Sequence, residues 1–106
     1  MNFRGGMGEL MGQAGRVQRK VEKRREELKE ETFEASAGND KVTAVANGVP
    51  ELAEIRIDKV LLQEEDMEMV QDLVVAAANA ALAKAREHVD AEIEEITGGL
   101  SIPGLG

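Results

Sequence analysis

Between Glu9 and Glu30, apolar residues fall at Leu10, Ala14, Val17, Val21 and Leu28, spaced 4, 3, 4 and 7 residues apart. Residues so spaced share one face of an α-helix. The seam is broken only where Arg24 takes an apolar position. A helix over this span is a rod about 33 Å long, roughly the width of a small domain. The chain has 106 residues, which suffices for one domain with a modest core. A small sheet cannot cover such a rod along its whole length. The seam therefore needs a second helix.

Downstream the hydrophobic period changes from helical to alternating. Phe33, Ala35 and Ala37 alternate with Thr32, Glu34 and Ser36, the pattern of a half-buried strand. Gly38-Asn39-Asp40 supplies a turn, and a second strand follows from Lys41 to Ala46. Asn47-Gly48 opens the next turn, with Pro50 inside it. A third strand runs from about Leu52 to Ile57, with Ala53, Ile55 and Ile57 on one face. The expected sheet is a three-stranded antiparallel meander, polar on one side, whose two outer strands are open to pairing.

Asp58 is placed to cap a short helical turn over Lys59 to Leu62. Glu64, Glu65 and Asp66 then put carboxylates at the start of a last helix, which ends near Ile96 before Gly98-Gly99. Its apolar stripe is Met67, Val70, Val74, Ala77, Ala81, Ala85, Val89, Ile93 and Ile96. Side chains in its middle are so small that the segment reads as a helix–helix contact, and Val74, Ala77, Ala78, Ala81 and Ala85 are the expected interface between two copies. The fold expected is α+β: residues 1–8 a Gly-rich flexible arm, 9–97 one domain, and 98–106 a flexible tail.

Composition excludes several kinds of chemistry. There is no cysteine, hence no disulfide, thiolate nucleophile or thiolate metal site. His88, the single histidine, has Glu92 one turn on but no third metal ligand in view, and reads as a surface helix residue. Nothing around the 64–66 carboxylates would desolvate one of them for acid–base work. Gly5-Gly6-Met7-Gly8 follows no strand and lacks the Lys-Ser/Thr of a phosphate loop. No enzyme, cofactor, metal or small-molecule substrate is expected. No run approaches the roughly 18 apolar residues of a membrane helix. The first fifteen residues lack the apolar stretch of a secretory signal. A cytoplasmic protein without a membrane partner is expected.

Charge is unevenly spread. The chain carries a net −8, yet residues 1–29 hold eight Lys/Arg against four Glu, a local +4. Within the first helix Arg16, Arg19, Lys20 and Lys23 fall inside an arc of roughly 100° beside the seam, with Arg24 at its border. Taken singly this is also the pattern of an ordinary solvated face with ion pairs such as Lys23 with Glu27. Doubled in a dimer, it becomes a two-fold array suited to the phosphates of a duplex. With only Phe3 and Phe33 aromatic, a stacking platform for single strands is not available. No Asn or Gln lies in the arc to read adenine, so little sequence preference is expected. A protein of another class also fits the acidic total: a dimeric chaperone or adaptor holding a protein partner along its helices.

Several segments, in order, resemble the YbaB/EbfC family of bacterial nucleoid-associated proteins. They are Gly5-Gly6-Met7-Gly8 with Leu10-Met11 and Gln13-Ala14, Asn47-Gly48, Ile57-Asp58 followed by Leu61-Leu62, and Glu65-Asp66. The run Asp72 to Ala81 and the closing Gly98-Gly99-Leu100 with Pro103-Gly104 complete the set. The resemblance implies a tweezer-like homodimer with protruding helices that binds double-stranded DNA and alters its conformation, with roles in nucleoid organisation and gene regulation. It places DNA contacts on the protruding helices, here Arg16, Arg19, Lys20, Lys23 and Arg24, with Lys84 and Arg86 beside them. The sequence departs from the family at Gly38-Asn39-Asp40-Lys41, where a Gly-rich turn is usual. It also departs in a last helix rich in acid (Glu87, Asp90, Glu92, Glu94, Glu95).

Overall fold

The computed structural model describes residues 3–98, with side chains from residue 8 onward. Six elements follow one another: α1 (Phe3–Leu28), β1 (Thr32–Ala37), β2 (Val42–Asn47), β3 (Leu52–Ile57), α2 (Lys59–Glu64) and α3 (Met67–Thr97). The expected α+β order is present. One difference is at the N-terminus: α1 begins at Phe3, so residues 3–8 belong to the helix and not to a flexible arm. Elongating an existing helix adds one hydrogen bond per residue without a new nucleus, which carries the backbone through glycines that could not have started it. The tail expected over 98–106 lies, after Gly98, outside the described residues.

The sheet is the meander β1-β2-β3, antiparallel throughout. Phe33 faces Ala46 and Ala35 faces Ala44 across the first pair. In the second pair Val45 faces Glu54, whereas Ala46 faces Leu52. That shift leaves Ala53 outside the ladder and exposed, and only Ile55 and Ile57 of the expected β3 trio pack on the core. The opposite face is polar, as the alternation requires. Arg56 reaches across it to Glu34 at 2.6 Å, and the Ser36 and Thr43 hydroxyls share a hydrogen bond of 3.0 Å.

Both turns are made by local chemistry. Gly38, Asn39 and Asp40 all take left-handed φ (63°, 56° and 65°), a region that Gly enters freely and Asn and Asp tolerate. Between β2 and β3 the Asn47 side-chain oxygen accepts from the backbone N–H of Val49 and of Glu51. A Cβ on the buried Gly48 would collide with the Leu28 carbonyl oxygen, so this turn and the end of α1 meet backbone to backbone.

Caps bound the last two helices. Asp58 accepts from the Val60 N–H and opens α2. Asp66 accepts from the Met69 N–H and opens α3, which Gly98 ends at φ 64°. Of the three carboxylates expected at the start of α3, only Asp66 serves there; Glu64 closes α2 and Glu65 caps it.

α3 has two partners in succession. Its first half lays Val70, Ala77, Ala81 and Ala85 on Phe33, Val42, Ala44 and Ala46. Its second half packs Val89 and Ile93 on Val21 and Leu28 of α1, with Val17 and Ile96 at the margin. The small-residue stretch is thus a helix-on-sheet contact and not the expected helix–helix one. Ala77, Ala81 and Ala85 have no accessible surface left within the single chain. The seam of α1 does find a second helix, and it is the chain's own. The molecule measures 76 × 19 × 18 Å. Its radius of gyration, 20.3 Å, compares with about 13 Å for a compact domain of this length. A two-helix arm projecting from the sheet accounts for the difference.

Candidate nucleic-acid interface

The arm is built on its seam. Val21 and Leu28, both fully buried, fix α1 against α3, which settles the direction of every other α1 side chain. At about 100° per residue, Arg16, Arg19 and Lys23 point about 120° or more away from the seam that meets α3, and Lys20 stands on the flank at about 80°. All four are exposed. Among the described residues none of them has an acidic partner within ion-pair distance; the Lys23–Glu27 pair does not form. The Arg16 and Arg19 side chains lie back over Gly12 and Gly15, one turn toward the N-terminus, close enough that a Cβ there would make ordinary contact with each guanidinium.

Arg24 behaves differently. Occupying the apolar position of the seam, its guanidinium turns toward α3, where Nε donates to Glu92 Oε2 at 3.3 Å. Its Nη2 lies 3.3 Å from both Glu92 and Glu31 carboxylates. The hydrogen bond from Arg24 holds the Glu92 carboxyl below its ordinary range, against the opposing effect of burial, and the same bond raises Arg24. Arg24 is a cation already paired inside the arm.

The remaining candidates divide in the same way. Lys84 donates from Nζ to the Glu34 carbonyl of β1 at 3.1 Å, tying α3 to the sheet edge. Arg86 is exposed. His88 tilts against Phe33 with ring centroids 5.0 Å apart, and its Nε2 lies 3.5 Å from the Glu92 carboxylate that Arg24 holds. Among the described residues no three His, Asp or Glu side chains are grouped to hold a metal, and no helix is long and apolar enough to cross a membrane. Val74 and Ala78, unlike the three alanines of the stripe centre, keep part of their surface.

The acid of α3 is on the far side of the arm. Glu87 and Glu94 lie about 120° or more around the helix from the middle of the Val89–Ile93 seam and Asp90 about 80° from it, and all are exposed. Packed helices stand about 8–10 Å apart, comparable to the roughly 8 Å screening length at physiological salt. A polyanion on the outer face of α1 is therefore largely shielded from those carboxylates.

Fold and site together define a small α+β protein whose two-helix arm is cationic on one side and anionic on the other. A sequence model of the YbaB/EbfC DNA-binding family matches residues 3–100, and the chain belongs to that family. It is 52% identical over 104 residues to a nucleoid-associated protein of Acetivibrio thermocellus, covering 97% of this chain and 92% of the relative. A nucleoid-associated protein of Myxococcus xanthus is 46% identical over 93 residues, covering 88% and 89%. Among solved structures, an uncharacterized protein from Helicobacter pylori superposes with a TM-score of 0.62 at 24% identity. That alignment covers 71% of this chain and 87% of the other, and it supports the fold alone.

Proposed function

We propose that two copies of this chain pair through their sheet ends and grip double-stranded DNA with the outer faces of their α1 arms, as a nucleoid-associated protein that alters DNA conformation with little sequence preference. Membership of a DNA-binding family sets the ligand class. The observation that carries the finer reading is the contrast on one helix. Arg16, Arg19, Lys20 and Lys23 are exposed and without acidic partners among the described residues, while Arg24 one turn away is consumed by Glu92 and Glu31. Free cations on a straight face neutralise phosphates and release their counterions; a cation already paired does neither. The face carries no Asn or Gln to pair with adenine edges, and its four cations are suited first of all to backbone phosphates.

Pairing draws support from apolar surface beside β3. The α3 stripe lies over β1 and β2, and the flank turned away from Lys84 presents the partly buried Val74, Ala78 and Leu82. Leu52, Leu62 and Met67 are 44%, 51% and 64% exposed. Together with the free edge of β3, this surface suits a second copy, with Val74 and Ala78 kept from the expected interface and Ala77, Ala81 and Ala85 removed from it. The adaptor reading loses the part of its groove from Val17 to Leu28, which α3 fills.

Duplex titration at two salt concentrations tests the DNA face. Binding should weaken steeply as salt rises, and Arg16→Glu/Lys20→Glu/Lys23→Glu should abolish it. Unchanged affinity in the triple variant removes the face from the mechanism. For pairing, sedimentation should report two chains, and Leu62→Glu/Met67→Glu should shift the mass toward one; a monomer at micromolar concentration before substitution refutes it.

A further inference from the structure

The acidic side of the arm matches its cationic side in length. Arg16, Arg19 and Lys23 point about 120° or more from the α1 seam and rise over about 10.5 Å. Glu87, Glu94 and Glu95 stand about 120° or more from the α3 seam and rise over about 12 Å. All six are exposed, and among the described residues none has an oppositely charged partner within ion-pair distance. Four cations against Glu22 leave residues 16–23 net positive, whereas residues 87–95 hold five acids and no Lys or Arg. Opposite charges close to each face are already engaged: Glu26 with Lys29 at 2.8 Å, and Lys84 with the Glu34 carbonyl at 3.1 Å.

We propose that the α3 face of Glu87, Glu94 and Glu95 docks the α1 face of Arg16, Arg19 and Lys23 on a second copy of this chain. Charge complementarity selects the occupant: three unpaired acids meet three unpaired cations over nearly the same length. Ala91 lies exposed among the acids, so no bulky side chain at the centre of that face holds the second helix off. Packed helices then come to about 8–10 Å. The chain as a whole carries −8, which sets copies apart at long range. Salt decides which effect wins. At about 0.1 M the screening length is about 10 Å, so facing charges still attract while most of the distant surplus is damped. At about 1 M it is about 3 Å, and the attraction is lost as well.

The two faces look in opposite directions from one arm, so a single partner cannot meet both. The contact is therefore head-to-tail and leaves one face unused at each end, unlike a two-fold pairing at the sheet. It covers cations that the proposed DNA face also uses. Self-association masks that face, and a duplex, with one charge per about 1.7 Å, displaces the three carboxylates. Only the displacement rests on the DNA reading; the contact between copies stands without it.

Two reversal variants of the full chain test the contact: Arg16→Glu/Arg19→Glu/Lys23→Glu and Glu87→Lys/Glu94→Lys/Glu95→Lys. All six positions are exposed, so both variants should keep the helical circular dichroism of the unsubstituted protein. At about 0.1 M salt that protein should sediment with about twice the mass, or more, that it shows at about 1 M. Each variant alone presents like charge on both faces and should lose this growth. Mixed in equal amounts the two should regain it, because each supplies the face that the other lacks. Each reversal moves the net charge by six units from −8, so both variants stay negative and do not attract each other as wholes. Growth that persists in either variant alone, or a mixture of the two folded variants that stays at its high-salt mass, refutes the contact. A short duplex added to the unsubstituted assembly should disperse it; duplex binding without dispersal refutes the masking. No duplex binding, with the mixing result intact, removes the DNA reading and leaves this contact in place.

Discussion

Lys20 and Arg24 lie one turn apart on α1, yet only Lys20 should contribute to DNA binding. From Arg16 to Lys23 the face rises about 10.5 Å, along which a duplex presents roughly six phosphate charges at one per about 1.7 Å. All four cations therefore have a phosphate in reach, giving eight in a paired molecule. Counterion release then sets the slope of log affinity against log salt near −7. Lys20→Ala removes one cation from each arm and brings that slope to about −5. Between about 50 and about 200 mM salt the unsubstituted protein should lose about 10⁴-fold in affinity and the variant about 10³-fold. The deficit of Lys20→Ala thus shrinks about tenfold across the range. Arg24→Ala should leave the slope where it was, because its charge is spent on Glu92 and Glu31, and should lower the melting temperature instead. Fluorescence anisotropy on a labelled duplex measures both slopes. An equal fall in slope for the two variants would refute the division between free and paired cations.

Three further outcomes follow from packing and ion pairing. Leu28→Ala empties a fully buried position where the arm joins the sheet and should cost about 2–5 kcal/mol; chemical denaturation showing under about 1 kcal/mol would mean the joint collapses around the cavity. Gly48→Ala sets a Cβ against the Leu28 backbone, which no side-chain rotation relieves. It should destabilise by about 1–3 kcal/mol, and an unchanged unfolding midpoint would contradict that close approach. Because Arg24 lowers the Glu92 carboxyl from its ordinary 4.5, the pair's contribution is complete above that value and is lost as pH falls through the lowered one. Glu92→Gln should therefore reduce melting temperature at neutral pH, with the difference narrowing as pH falls below the ordinary carboxyl value of 4.5. A gap that stays constant, or widens in acid, overturns the sign.

Much of the fold is legible in residue spacing, because secondary structure answers to short-range periodicity. The alternation from Phe33 to Ala37, the turn residues at Gly38-Asn39-Asp40 and Asn47-Gly48, the cap at Asp58 and the stop at Gly98 each act within a few residues, and each is found where that logic puts it. The cationic arc is legible for the same reason: four residues on one helix fix their relative directions by themselves. What meets what was decided by tertiary structure. Spacing marks Ala77, Ala81 and Ala85 as a face needing a close neighbour, but a helix and a sheet satisfy small side chains equally well, and the sheet took them. Arg24 shares a helix with Lys20 and Lys23, and only the packing of Val21 and Leu28 on Val89 and Ile93 turns it toward Glu92. Periodicity along a chain gives each side chain its direction around an element's own axis. Whether a charge so directed faces solvent or a carboxylate depends on contacts between residues 68 apart in sequence, which no local pattern encodes.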